Sequence, residues 1–285
     1  MPILIQELNY TYQLNSPFER VALRDVNLEI PSGALVAFVG HTGSGKSTLV
    51  QHINGLLKPT RGKVQVDDII IEPKRKQDLK ALRKRVGLVF QYPEYQLFEE
   101  TVLKDVMFGP MNFGHEQEEA ERLAKEALRT VGLDEVFWSR SPFDLSGGQM
   151  RRVAIAGVLA SQPDVLIVDE PTAGLDPQGR KQMLSLFARL HAETGLTLLL
   201  ITHDMDQVLE YTNRVVVMEH GQVAYDGEPI GLFQQAELLK QFHIDLPHVL
   251  ALAWPVADRL GLSRPNLRTE PEVVDWILQV QGGRI

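Results

Sequence analysis

Gly40-His41-Thr42-Gly43-Ser44-Gly45-Lys46-Ser47-Thr48 follows an apolar run, Leu35–Val39, and opens a segment of helical periodicity, Lys46–Leu56. The spacing is G-x4-G-K-[ST]. Glycines so placed permit a tight loop whose backbone N–H groups turn inward around phosphate oxygens, and the helix N-terminus adds partial positive charge there. In such a loop Lys46 reaches the β- and γ-phosphates of a nucleoside triphosphate, and the Ser47 hydroxyl ligates Mg²⁺. A glycine-rich turn without a ligand has the same composition but does not require a strand before it and a helix after it.

Outward from this loop, short and wholly apolar runs recur at Leu35–Val39, Val86–Phe90, Val165–Val168, Leu198–Ile201 and Val215–Met218. Helical patterns alternate with them at Lys46–Leu56, Glu116–Val131, Gly147–Ala160 and Pro177–His191. Strands buried on both faces and alternating with helices predict an α/β fold on a mainly parallel sheet. Residues 3–10 and 21–30 alternate in polarity instead, which predicts half-exposed antiparallel strands at the start. Residues 92–162 lack a strong strand and carry a charged helix, so they read as a helical subdomain inserted into a nucleotide-binding domain of residues 1–228. Helical patterns alone fill 229–285, a small C-terminal domain that is either an appendage or a collar on the main core.

A magnesium nucleotide calls for a second, acidic element. Val165-Leu166-Ile167-Val168-Asp169-Glu170 delivers two carboxylates at the carboxyl end of a buried strand, where open α/β sheets bind ligands. Asp169 is assigned to Mg²⁺ and Glu170 to the attacking water as general base. Alone, an Asp-Glu pair would more simply begin a solvated turn; a phosphate loop upstream reverses that preference.

Leu145-Ser146-Gly147-Gly148-Gln149 is a further helix N-terminus, with Ser146 at the cap and two glycines baring N–H groups. Placed between a phosphate loop and an Asp-Glu strand, it resembles the signature motif of the ATP-binding-cassette (ABC) ATPases. The other elements of that family occur in order. Gln91 is similar to the Q-loop glutamine, which senses magnesium and contacts the membrane partner. Ala173-Gly174-Leu175-Asp176 resembles the D-loop, and His203 the switch histidine of the γ-phosphate. Tyr12 fits the aromatic that stacks on adenine, with Tyr10 close enough to compete for the role. The resemblance implies ATP and Mg²⁺ as ligands, with Tyr12 and residues 40–48 on ATP, and Ser47, Gln91 and Asp169 on the metal. Lys46, Gln91, Glu170 and His203 are the catalytic set. It also implies that Ser146, Gly147, Gly148, Gln149 and Asp176 serve the ATP of a second cassette, because the signature faces a phosphate that its own loop already surrounds.

Absences narrow the class. About a hundred residues separate the phosphate loop from the signature, without heptads, so this is not a coiled-coil chromosome ATPase. There is no cysteine, which excludes thiolate zinc modules and disulfides and suits a reducing cytoplasm. A net charge of −8 argues against a nucleic-acid partner. The N-terminus has no signal-peptide pattern and no apolar stretch is long enough to span a bilayer, so any membrane work is expected to be peripheral, through a partner that spans; the family resemblance implies the cytoplasmic face.

Finer resemblance lies in Phe90-Gln91-Tyr92-Pro93-Glu94-Tyr95-Gln96-Leu97-Phe98, in Val102–Pro110, and in residues 141–157 around the signature. These are similar to the energy-coupling factor (ECF) transporter ATPases, most closely their second, A-prime subunit. That family implies a heterodimer of two ATPases under a transmembrane coupling subunit, with a membrane capture subunit for a vitamin or transition-metal ion. It further implies that the C-terminal helices help hold the dimer. Glu94, Glu99 and Glu100 form an acidic group able to receive arginines from the coupling subunit. The competing expectation is a soluble ABC ATPase that acts on a protein or nucleic acid without transport.

Overall fold

The apolar run Leu35–Val39 becomes an inner strand of a six-stranded sheet in the computed structural model, which describes residues 1–75 and 77–282. The chain opens with β1 (Ile3–Tyr12), β2 (Arg20–Ile30), β3 (Leu35–Val39), α1 (Lys46–Ile53), β4 (Arg61–Val66), β5 (Ile69–Ile71), α2 (Lys80–Arg85) and β6 (Val86–Val89). Three helices follow, α3 (Val102–Asn112), α4 (Gln117–Thr130) and α5 (Gly147–Leu159). The sheet resumes with β7 (Val165–Asp169), α6 (Pro177–Thr194), β8 (Thr197–Ile201), α7 (Met205–Tyr211), β9 (Arg214–Glu219) and β10 (Gln222–Gly227). The C-terminal helices are α8 (Pro229–Phe233), α9 (Ala236–Phe242), α10 (His248–Leu260) and α11 (Glu270–Gln281); residues 283–285 of the expected C-terminal domain lie outside the described residues.

The large sheet runs β10-β9-β3-β8-β7-β6, parallel throughout except for the β10–β9 pair. Its apolar runs are sorted by the two-residue period of a strand. Val165, Ile167, Leu199 and Ile201 join one core with Phe38 and the N-terminal sheet, while Leu166, Val168, Leu198 and Leu200 join another with α3, α4 and α5. Each such side chain, fully buried, contributes roughly 1.5–3 kcal/mol.

A second sheet, β2-β1-β4-β5, is antiparallel. Its β1–β2 half matches the alternating pattern; β4 and β5 are additional. Three helices and short 3-10 turns lie between β6 and β7.

The tail packs on the sheet. Ala37, Val39, Val215 and Val217 share a core with Leu232, Phe233, Phe242, Leu250 and Trp254. Asp206 on α7 also accepts from the backbone N–H of His248, at the start of α10, at 2.7 Å. The outer sides of the last two helices leave apolar residues in solvent: Leu252, Val256 and Leu260 at four-residue spacing on α10, and Val274 and Leu278 on α11.

Candidate functional site

The phosphate loop leaves β3 at Gly40, whose φ of 138° is open to glycine alone; a Cβ there would overlap the Met218 carbonyl on β9. Gly45 caps α1 at φ 108°, where a Cβ would press on the Ala22 carbonyl and Leu23. Between these two points the loop curls around Lys46, whose ammonium donates to the carbonyls of Gly40 (2.7 Å) and His41 (3.1 Å). Burial lowers the Lys46 pKa, and the charges of Glu170 and Asp169 offset part of that shift.

Strand order brings the acidic pair alongside, because only β8 separates β3 from β7. Ser47 Oγ donates to Asp169 Oδ2 at 2.9 Å. Burial raises the Asp169 carboxyl above the ordinary aspartate range, with the Ser47 bond and the Lys46 charge acting against it and Glu170 adding to it. A partly desolvated carboxylate facing a hydroxyl is an all-oxygen donor pair, which suits a hard cation such as Mg²⁺. The residues present therefore fit that ion.

Glu170 follows immediately, with the backbone in the left-handed region at φ 46° and its N–H bonded to the Ile201 carbonyl at 3.0 Å. Its side chain is held from both sides. Gln91 Nε2, from the end of β6, donates to Oε2 at 2.9 Å, and His203 Nδ1, from the end of β8, lies 3.1 Å from Oε1. Since a carboxylate only accepts, the His203 Nδ1 carries the proton in this arrangement.

These groups wall a cleft of about 790 Å³. Of the nine loop residues, Ser44 alone stays out of its lining; it is fully buried, and its hydroxyl has no hydrogen-bond partner among the described residues. Tyr12 lines the cleft, its hydroxyl 3.1 Å from Thr48 Oγ1, whereas Tyr10 stands behind it, edge-on to both Tyr12 and His52. Arg20, Val21 and Ala22 also line the cleft, and the Arg20 guanidinium lies over Gly43. Sequence reasoning missed these three. The available signal was a basic residue at the return of the β1–β2 hairpin that carries Tyr12.

The signature residues are elsewhere. Ser146 caps α5 and exchanges bonds with Gln149 in a capping box, leaving Gly147 and Gly148 exposed between them, and none of the four lines the cleft. Asp176 is likewise occupied as the cap of α6, accepting from Gly179 N–H at 2.6 Å. Glu94, grouped with Glu99 and Glu100 as an acidic face, turns inward in a bidentate pair with Arg151. Glu100 stays in solvent beside Lys104, and Glu99 is half-buried. Around them Tyr95, Phe98, Phe108 and Met111 are exposed.

Residues 23–173 match the sequence pattern of the ABC transporter family. The energy-coupling factor transporter ATP-binding protein EcfA2 of Ligilactobacillus salivarius (strain UCC118) is 52% identical, over 100% of this chain and 99% of the relative. The protein of that name from Enterococcus faecalis (strain ATCC 700802 / V583) is 55% identical over 98% and 97%. Among solved structures, cbiO1 from Clostridium perfringens, part of the ABC transporter complex cbiONQ, superposes with a TM-score of 0.73 at 37% identity, covering 91% of this chain and 98% of that one. A dimeric post-hydrolysis state of the cassette MJ0796, bound to ADP and Pi, gives 0.71 at 32% identity over 80% and 98%. The chain belongs to the ABC transporter family, in its energy-coupling factor ATP-binding branch.

Proposed function

We propose that this chain is the ATP-hydrolysing subunit of an energy-coupling factor importer, that it works at the cytoplasmic face of the cell membrane, and that a second cassette completes its ATP site. The carrying observation is the division of the motifs. The phosphate loop, Gln91, Asp169, Glu170 and His203 share one cleft, while the signature cap is exposed outside it. A helix end with bared N–H groups that lies outside its own chain's cleft suits a phosphate held by another chain.

In this reading the loop amides and Lys46 hold the β- and γ-phosphates, and Tyr12 stacks on adenine. Ser47 and Asp169, with Gln91 adjoining, would hold Mg²⁺, which when bound neutralises charge across the phosphate oxygens. Glu170 takes the proton of the attacking water as it adds to the γ-phosphorus, and the bond to the leaving ADP oxygen breaks. Gln91 and His203 fix that carboxylate in place, which serves orientation as much as acidity. His203, on the far side of Glu170 from Gln91, can then turn its imidazole to the γ-phosphate.

Closure on ATP and reopening after hydrolysis would drive the membrane partners, a transmembrane coupling subunit and a capture subunit for a vitamin or transition-metal ion. Glu99 and Glu100, with the exposed aromatics beside them, are the proposed coupling contact, and Glu94 supports that surface from within. The apolar stripes of α10 and α11, in a C-terminal domain spanning 229–285, would help hold a heterodimer with a related ATPase. Relatives named as transporter subunits support this reading over a soluble, non-transporting ATPase.

Co-expression with candidate membrane subunits and a second cassette, followed by affinity purification, tests it. The chain should co-purify from the membrane fraction, with ATP hydrolysis that depends on the second cassette. Recovery of the chain alone from the soluble fraction, hydrolysing ATP at a rate independent of its concentration, would sink the proposal.

A further inference from the structure

Arg151 lies two residues past Gln149 on α5, and its side chain is 5% exposed. Every side of the guanidinium is committed. Nε and Nη2 donate to the two oxygens of Glu94 at 3.1 and 2.9 Å, and Nη1 donates to the carbonyls of Ala173 (2.7 Å) and Pro171 (3.3 Å). Its carbon centre sits 5.9 Å from the centroid of the Tyr92 ring. A planar fork can meet a carboxylate along one edge and still reach two carbonyls with the other; a lysine, a single point donor, cannot.

These partners belong to the two segments that carry the hydrolytic groups. Glu94 stands just past Gln91, on a 3-10 turn led by Tyr92 in the left-handed region at φ 58°. Pro171 and Ala173 stand just past Glu170, itself left-handed at φ 46°. Non-glycine residues keep such conformations only where their surroundings fix them. Gln91 and Glu170 already meet in the cleft at 2.9 Å. The segments are therefore tied twice, once in the cleft by Gln91–Glu170 and once behind it by Glu94–Arg151–Ala173. Burial works against the Glu94 charge, but the Arg151 bonds, a backbone hydrogen bond and the Arg151 charge together outweigh it and hold the carboxyl below its ordinary range.

We propose that Arg151 is a positioning residue for ATP hydrolysis, one that makes the placement of Glu170 depend on where the signature end of α5 sits. The proposal rests on reading Glu170 as the base and Ser146–Gln149 as the half-site lent to a partner. When that helix end docks on the partner's nucleotide, Arg151 carries the displacement to the turn after Gln91 and to the segment after Glu170. Small misplacement of a carboxylate that must orient water costs rate without costing affinity. Arg151 has no hydrogen bond to Tyr12, Lys46 or Ser47, so nucleotide binding stands apart from it.

The test uses the full chain co-purified with its transporter partners, with hydrolysis measured against ATP concentration. Arg151→Lys keeps the charge and removes the fork. Glu94→Gln combined with Arg151→Met removes both charges and leaves no unpaired ion in the interior, which protects the fold. Both complexes should assemble and melt like the parent, with KM for ATP within about twofold and kcat lower by at least about tenfold. Glu94→Gln alone, and combined with Arg151→Lys, should lower kcat by a similar factor, because all of these variants break one tie. A kcat within about twofold of the parent in Arg151→Lys and in the charge-free pair would overturn the proposal. So would a loss of kcat matched by equal losses of melting temperature and ATP affinity, the mark of a purely structural residue. Glu170→Gln runs alongside. If that variant hydrolyses ATP normally, the reading of the base fails and this proposal falls with it; if it is inactive while Arg151→Lys is normal, only the role of Arg151 fails.

Discussion

The Gln91 amide and the Glu170 carboxylate are joined by a hydrogen bond of 2.9 Å that spans the carboxyl ends of β6 and β7. The bond links the residue just before the helical insert to the residue proposed to activate water.

Glu170→Gln keeps the shape of that arrangement and removes the proposed base. Hydrolysis should fall about 100- to 10 000-fold, while ATP affinity holds. An ATP-bound pair of cassettes should then accumulate, seen as a larger species by size exclusion only when ATP is present. Hydrolysis at near-parental rates would remove Glu170 from its assignment.

Tyr12, not Tyr10, faces the cleft. Base–aromatic stacking is worth about 1–3 kcal/mol, so Tyr12→Ala should raise KM for ATP by about five- to a hundredfold with kcat nearly intact. Tyr10→Phe keeps the ring that backs Tyr12 and should leave KM unchanged. Equal effects of the two changes would mean that the adenine sits elsewhere.

His52, on α1 just beyond the phosphate loop, is buried and its pKa is lowered by that burial from 6.5 to about 4. Its Nδ1 meets the Thr48 carbonyl at 2.7 Å, and its Nε2 has no hydrogen-bond partner among the described residues, as suits a neutral ring. The unfolded chain takes up this proton near pH 6.5 and the folded chain only near 4, so the folded state loses relative stability as the pH falls between them. The contribution is whole above pH 6.5 and costs about 3 kcal/mol once the pH reaches 4. His52→Leu should flatten this part of the profile in urea unfolding at pH 7 and pH 4.5. An unchanged slope would show that other groups set it.

Leu252 and Leu278 are 66% and 61% exposed on the two last helices. Leu252→Lys with Leu278→Lys should weaken association with the second cassette, measured by sedimentation, and leave the melting temperature of the free chain within about 2 °C, as for exposed sites generally. Undiminished pairing would take the C-terminal stripes out of the interface.

The parts of the fold written in local patterns were legible. Five apolar runs became β3, β6, β7, β8 and β9, and the loop from Gly40 to Thr48 sits where a strand–loop–helix reading puts it. What escaped was short or weakly patterned. β5 is three isoleucines long, β4 alternates over only six residues, and α2 is mostly Lys and Arg with Leu82 as its buried anchor. The Lys46–Leu56 pattern also ends early as a helix, at Ile53, where Asn54 and a left-handed Gly55 turn the chain. At the site, Arg20 was hidden because one basic residue in a hairpin carries no motif. The Glu94–Arg151 pair was hidden for a different reason: the partners are 57 positions apart, so an acidic run read along the chain looked like a contact for another subunit's arginines and not for one of its own.

The capping box at Ser146 and Gln149 has a consequence for how long two cassettes stay together. Those side chains satisfy each other, so the end of α5 is already capped in the single chain, and docking of the proposed partner would have little disorder left to remove there. The amides of Gly147 and Gly148 are what it has left to offer, and they suit an anion. In the proposed pair, an interface built this way would behave as a timer set by its guest. It would gain adhesion while a triphosphate lay between the halves and lose it once the terminal phosphate departed, so the lifetime of the pair would measure out a single turnover.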